Sequence, residues 1–62
     1  MTNTQQLFKK QYKDFIFVYT NNGLFEIYYA GDNVPIQRYK ANIKTNKDFE
    51  IEIIYAIEKT NN

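Results

Sequence analysis

Glu50, Glu52 and Glu58 fall at even positions of an alternating run near the end of this 62-residue chain. On a strand, residues two apart lie ~6.6 Å from one another at ~3.3 Å per residue, near enough for two carboxylates to share a hard cation or a substrate. Arg38, Lys40 and Lys44 hold the matching positions of the preceding run, so the same face reads more simply as opposite charges answering one another across a solvated hairpin. Further chemistry is narrowed by what is missing. The chain has no Cys, no His and no Ser, which removes disulfides, Cys/His zinc sites and the usual nucleophilic triads. No enzyme activity, metal or cofactor is expected, and binding is the function class that remains.

The elements that position these residues follow from periodicity. In residues 1–13, Leu7, Phe8 and Tyr12 are spaced as on one helix face, and Gln5 follows Thr2 by three as in a capping box, which predicts a short helical lead-in. From Asp14 the period becomes two. Asn22-Gly23 marks a two-residue turn pairing Asn21 with Leu24, so Thr20 would meet Phe25 and Val18 would meet Ile27. Pro35 breaks the next connection, and the apolar phase slips once near Gln37. After Thr45-Asn46-Lys47 a last strand would carry Phe49, Ile51, Ile53, Tyr55 and Ile57 inward, with Lys44 opposite Asp48 and Lys40 opposite Glu52. The expected fold is therefore α+β in one domain, residues 1–62: an N-terminal helix, a four-stranded antiparallel meander over 14–58, open or curled toward a small barrel, and a frayed tail at 59–62.

In that register Phe15, Phe17, Tyr19, Leu24 and Tyr28 share the side of the first hairpin opposite Ile16, Val18, Phe25, Ile27 and Tyr29. One helix covers one face, so an aromatic face would stay open and join Ile54 of the last strand. The candidate partner-binding residues are Phe15, Phe17, Tyr19, Leu24, Tyr28 and Ile54, with Glu26, Arg38, Lys40 and Lys44 as polar rim or phosphate contacts. Large rigid aromatics bury much area for little lost rotamer freedom and make natural interface anchors. The partner would be a larger host protein or a second copy of the chain, because a core this small gains from burying such a patch.

Lys13, Phe15, Phe17 and Val18 also resemble the K-G-F-G-F-[VI] run of RNA-recognition and cold-shock sheets, whose aromatics stack on bases. Asp14 and Ile16 replace both glycines, and the resemblance ends after six residues, so it implies no family. It keeps single-stranded nucleic acid as the alternative partner, with Lys9, Lys10 and Lys13 near the same strand. The balance of 8 basic and 7 acidic residues gives +1, unlike the footprint of most duplex binders.

Phe, Tyr, Ile, Asn and Lys supply 34 of the 62 residues, and all are encoded by AT-rich codons. That predicts an AT-rich genome, as in a low-GC bacterium, its phages or its plasmids, and a modulator or inhibitor of a host protein as the type of function. Without a charged leader, an apolar run of membrane length or cysteine, the chain is expected in the cytoplasm, off the membrane.

Overall fold

A computed structural model describes residues 3–60. Four strands, β1 (Gln6–Tyr12), β2 (Phe15–Thr20), β3 (Leu24–Tyr29) and β4 (Gln37–Lys40), form an antiparallel meander in chain order, and one helix, α1 (Asn46–Thr60), follows. The expected meander is present, but its first strand comes from the segment read as a helix and its helix from the segment read as the last strand. The sheet is open rather than closed into a barrel, with β1 and β4 at its edges. Of the flanks, residues 1 and 2 of the expected lead-in and 61 and 62 of the expected tail lie outside the described residues, whereas Lys59 and Thr60 end α1.

Phe8 and Tyr12 satisfy both a helical i, i+4 spacing and a strand spacing through Lys10, and pairing with β2 selects the strand. Asn21 anchors it: its backbone N–H donates to Gln5 O at 2.9 Å, its Oδ1 accepts from Gln5 N at 3.0 Å, and its Nδ2 donates to Asn3 O at 3.1 Å. Leu7 is an extra residue between Gln6, opposite Thr20, and Phe8, opposite Tyr19, and makes a bulge. The β1–β2 connection is only Lys13-Asp14, with Lys13 at φ 55.

The β2–β3 turn is one residue longer than Asn22-Gly23 alone suggests. Gly23 donates to Thr20 O at 3.0 Å and takes φ 80, so Asn21, Asn22 and Gly23 form a three-residue loop closed by a left-handed glycine. Tyr19 therefore meets Phe25, and Phe17 meets Ile27, in place of the expected Thr20–Phe25 and Val18–Ile27 pairs. A slip of one residue exchanges the faces of one strand relative to its neighbour. Phe15, Phe17 and Tyr19 thus join Phe25, Ile27 and Tyr29 on one side, and Ile16, Val18 and Thr20 join Leu24, Glu26 and Tyr28 on the other.

Beyond β4, the expected strand through Ile43 is replaced by a crossing connection. Tyr19 Oη donates to Ala41 O at 2.8 Å and accepts from Ile43 N at 3.4 Å, which turns Ile43 into the core. Thr45 and Asp48 then form a capping box: Asp48 N donates to Thr45 Oγ1 at 3.1 Å and Thr45 N to Asp48 Oδ2 at 3.3 Å. Lys44 and Asp48 do meet, but through Lys44 N donating to Asp48 Oδ2 in this cap and not across a hairpin. Phe49, Ile53 and Ala56, spaced four and three apart, face the sheet and pack with Phe17, Tyr19, Phe25 and Ile27. Phe8 stacks on Phe49 at 5.4 Å, and Phe25 meets Phe49 edge-on at 5.8 Å. Phe17, Phe25, Ile27 and Phe49, each 2% exposed or less, are the centre of the core.

Candidate functional site

Both sides of the sheet carry concave surfaces. The larger is a groove of about 370 Å³ between edge strand β1 and α1, walled by Tyr12, Ile53, Ile54 and Ile57 and bordered by Lys10, Glu50 and Glu58. It exists because α1 lies over β2 and β3, and the helix-facing side chains of β1 alternate as Phe8, Lys10, Tyr12 without filling the edge. Tyr12 and Ile54 are 43% and 57% exposed, so its apolar lining is open to solvent. Lys10 Nζ lies 3.5 Å from Glu50 Oε2, leaving little net charge at that end, and Lys13 Nζ sits 5.4 Å from the Tyr12 ring centroid. A smaller recess of about 110 Å³, lined by Phe15, Phe17, Ile27 and Ala56, shares Tyr12 and Ile57 with the groove. Alongside, β1 is bonded to β2 alone, so every second N–H and C=O along its outer side has no strand partner among the described residues.

The helix-free face of the sheet is the second surface. Its residues form rows across the strands: Lys9, Val18, Glu26 and Arg38 in one, Gln11, Ile16 and Tyr28 in the next. Tyr28 Oη donates to Glu26 Oε1 at 2.8 Å, and Arg38 Nη1 lies 3.7 Å from Glu26 Oε2. The hydrogen bond to Glu26, followed by burial, holds the Tyr28 phenol above its ordinary range. Beside this network Ile16, Val18 and Tyr28 floor a recess of about 270 Å³ bordered by Gln6, Lys9 and Asp32. On the other side of the sheet Tyr39 Oη donates to Glu52 Oε2 at 2.6 Å, tying β4 to α1, and burial together with that bond pushes its pKa strongly upward.

The residues expected to form one aromatic face are divided among three places. Phe17 and Tyr19 are core residues, 2% and 6% exposed, and half-buried Phe15 stacks on Tyr29 at 5.0 Å on the helix side. Neither Phe15 nor Phe17 stands on the open face where a base would stack, in contrast to the local run they resemble. Leu24 and Tyr28 do lie on the helix-free face, with Glu26, Arg38 and Lys40 beside them. Ile54 is on the helix at the groove, and exposed Lys44 stands in the connection before α1. Glu50, Glu52 and Glu58 diverge around the helix, with Glu50 on Lys10 and Glu52 on Tyr39; among the described residues no three acidic side chains cluster to hold a metal.

Sequence reasoning missed Tyr12 and Ile57 as groove residues. Their signal was present: Ile53, Ile54 and Ile57 are an i, i+1, i+4 helical set, and apolar residues at both 53 and 54 and again at 56 and 57 break the alternation of a strand with one solvated face. Fold and site define a two-layer protein, one helix on a four-stranded meander, with an open groove at the sheet edge. Comparison of the chain with protein-family models, curated proteins and solved structures finds no match. Among the described residues no helix is long and apolar enough to cross a membrane.

Proposed function

We propose that the chain is a small non-enzymatic protein-binding module that takes an extended segment of a partner along β1. The observation that carries this reading is the conjunction of an unpaired strand edge with the groove walled by Tyr12, Ile54 and Ile57. An added strand makes main-chain hydrogen bonds to the edge, while alternate side chains drop into the groove. Lys9 and Lys13 favour acidic residues in that segment, and in a β1–β1 pairing of two copies they would bring like charges together. The composition of an AT-rich genome, the lack of cysteine and the small size support a cytoplasmic modulator or inhibitor carried by a phage or plasmid and acting on a larger host protein.

Selection from a library of extended peptides tests this. The expected binders alternate apolar and acidic residues and lose at least tenfold in affinity against Tyr12→Lys and Ile57→Lys, with the circular-dichroism spectrum retained. Binders indifferent to both substitutions, or no binders, would refute the reading.

A second reading, single-stranded nucleic acid, is supported by Lys9, Arg38 and Lys40 sharing the helix-free face with Tyr28. Three phosphate contacts give a log–log salt slope of about −2 at ~0.7 per contact. Glu26, in the middle of that face, works against it, and an oligonucleotide titration at two salt concentrations separates the readings.

A further inference from the structure

The outer side of α1 is built against two rules that a solvent-facing helix normally obeys. With Phe49, Ile53 and Ala56 on the sheet, the opposite line of the helix runs through Lys47, Ile51, Ile54 and Glu58 at spacings of four, three and four, with Tyr55 beside it. That line should be polar, yet Ile51, Ile54 and Tyr55 are 45%, 57% and 57% exposed. Its two charges also oppose the helix dipole: Lys47 stands in the first turn, where acids are favoured, and Glu58 in the last, where bases are. Neither has an ion-pair partner among the described residues.

Both departures have one explanation. Inverting the line about its midpoint, between Glu52 and Ile53, places residue 47 opposite 58 and residue 51 opposite 54. Lys47 of one copy then faces Glu58 of the other, at both ends, and Ile51 faces Ile54 twice across the centre. The 4-3-4 spacing is that of a coiled-coil seam, and antiparallel helices also set their dipoles favourably. The seam lies on the side of α1 away from the sheet, whereas the unpaired edge of β1 lies in the sheet plane; Ile54 and Glu58 line the groove as well as the seam, and Lys47 and Ile51 belong to the seam alone.

We propose that the occupant of this face is a second copy of the chain, joined as an antiparallel α1–α1 pair with two Lys47–Glu58 bridges and an Ile51/Ile54 centre. The contact spans ~17 Å of helix at ~1.5 Å per residue, a small interface whose self-association is read at high micromolar concentration.

Sedimentation equilibrium over a hundredfold concentration range is the test, with charge reversal as the discriminating series. The native chain should rise with concentration from 7.5 kDa to twice that mass. Lys47→Glu alone and Glu58→Lys alone each set like charges opposite one another and should weaken the dimer at least fivefold, while the double reversal Lys47→Glu/Glu58→Lys should restore it. Both single changes improve the match to the helix dipole, so a lost dimer cannot be ascribed to a lost helix, and Ile51→Glu, remote from the groove, should abolish the pair while leaving peptide capture at β1 intact. A strictly monomeric chain throughout the range, or a dimer unmoved by single reversals or not rescued by the double one, would overturn the proposal.

Discussion

Tyr19→Phe removes one oxygen from the interior and tests how the sheet delivers the helix to its place. Among the described residues the Tyr19 hydroxyl alone bonds to both Ala41 O, at 2.8 Å, and Ile43 N, at 3.4 Å, and Tyr19 is 6% exposed. The shorter bond is worth about 1 kcal/mol net, and a buried carbonyl or amide left unpaired costs about 1–3 kcal/mol more. The longer bond is at the limit of useful geometry and adds little. A total loss of about 2–4 kcal/mol is therefore expected. For a chain of 62 residues with total stability of about 3–9 kcal/mol, that is a large fraction of the whole. At about 4–8 °C per kcal/mol the melting temperature should fall by about 8–32 °C. Urea denaturation of Tyr19→Phe beside Tyr28→Phe provides the internal control, because among the described residues the Tyr28 hydroxyl bonds to Glu26 alone, on the open face, and its loss should cost less than about 1 kcal/mol. The Ile43 amide should also lose hydrogen-exchange protection in Tyr19→Phe. Equal small losses in the two variants, with Ile43 still protected, would refute the claim that this hydroxyl holds the connection to α1.

Lys13 adopts a positive φ without being glycine, so Lys13→Gly should raise stability by about 1 kcal/mol, read as a higher urea midpoint at unchanged slope. Thr45→Ala breaks the capping box and should cost about 1 kcal/mol with loss of helical signal at 222 nm. Phe49→Ala should cost about 3–5 kcal/mol, whereas Ile54→Ala, at the surface, should stay within about 0.5 kcal/mol in dilute solution. Tyr39 has a folded pKa above its ordinary 10.0, so its contribution is complete below about pH 10 and drains away as pH rises beyond it; Tyr39→Phe should flatten the alkaline limb of the stability curve.

Much of the fold was legible because the middle of the chain obeys a single rule. The aromatic and β-branched runs from Phe15 to Thr20 and from Leu24 to Tyr29 give β2 and β3 directly, and the Asn-Gly pair gives the place of their turn but not its length. The ends obeyed two rules at once. Phe8 and Tyr12 fit either period, and pairing along β2, with the Asn21 side chain reaching Gln5 and Asn3, makes the strand the better choice. Phe49, Ile51, Ile53, Tyr55 and Ile57 alternate perfectly, yet Phe49, Ile53, Ala56 and Ile57 are also a helical stripe behind the cap Thr45-x-x-Asp48, and the helix prevails because it covers the aromatic face of the sheet. The aromatic face was misassigned by one residue of turn length. A loop of three instead of two moves Phe17 and Tyr19 from a binding surface into the core, so the open apolar area had to be sought at the groove and on α1. No period of a single segment encodes that groove, since it arises from where one helix ends its cover of four strands.

The central claim is that α1 is a helix covering the Phe17, Phe25 and Ile27 side of the sheet, which is what creates both the groove and the outer stripe. The eight isoleucines sample the core, the helix-free face and the outer side of α1. Paramagnetic relaxation of their δ1 methyls by a soluble gadolinium chelate, in dilute solution, tests it most directly. The account predicts strong enhancement at Ile36, Ile51 and Ile54, an intermediate effect at Ile16, and protection of Ile27, Ile43 and Ile53. Ile51 and Ile53 responding alike, as neighbours two apart on a strand would, or exposure of Ile27 beside a protected Ile16, would contradict it.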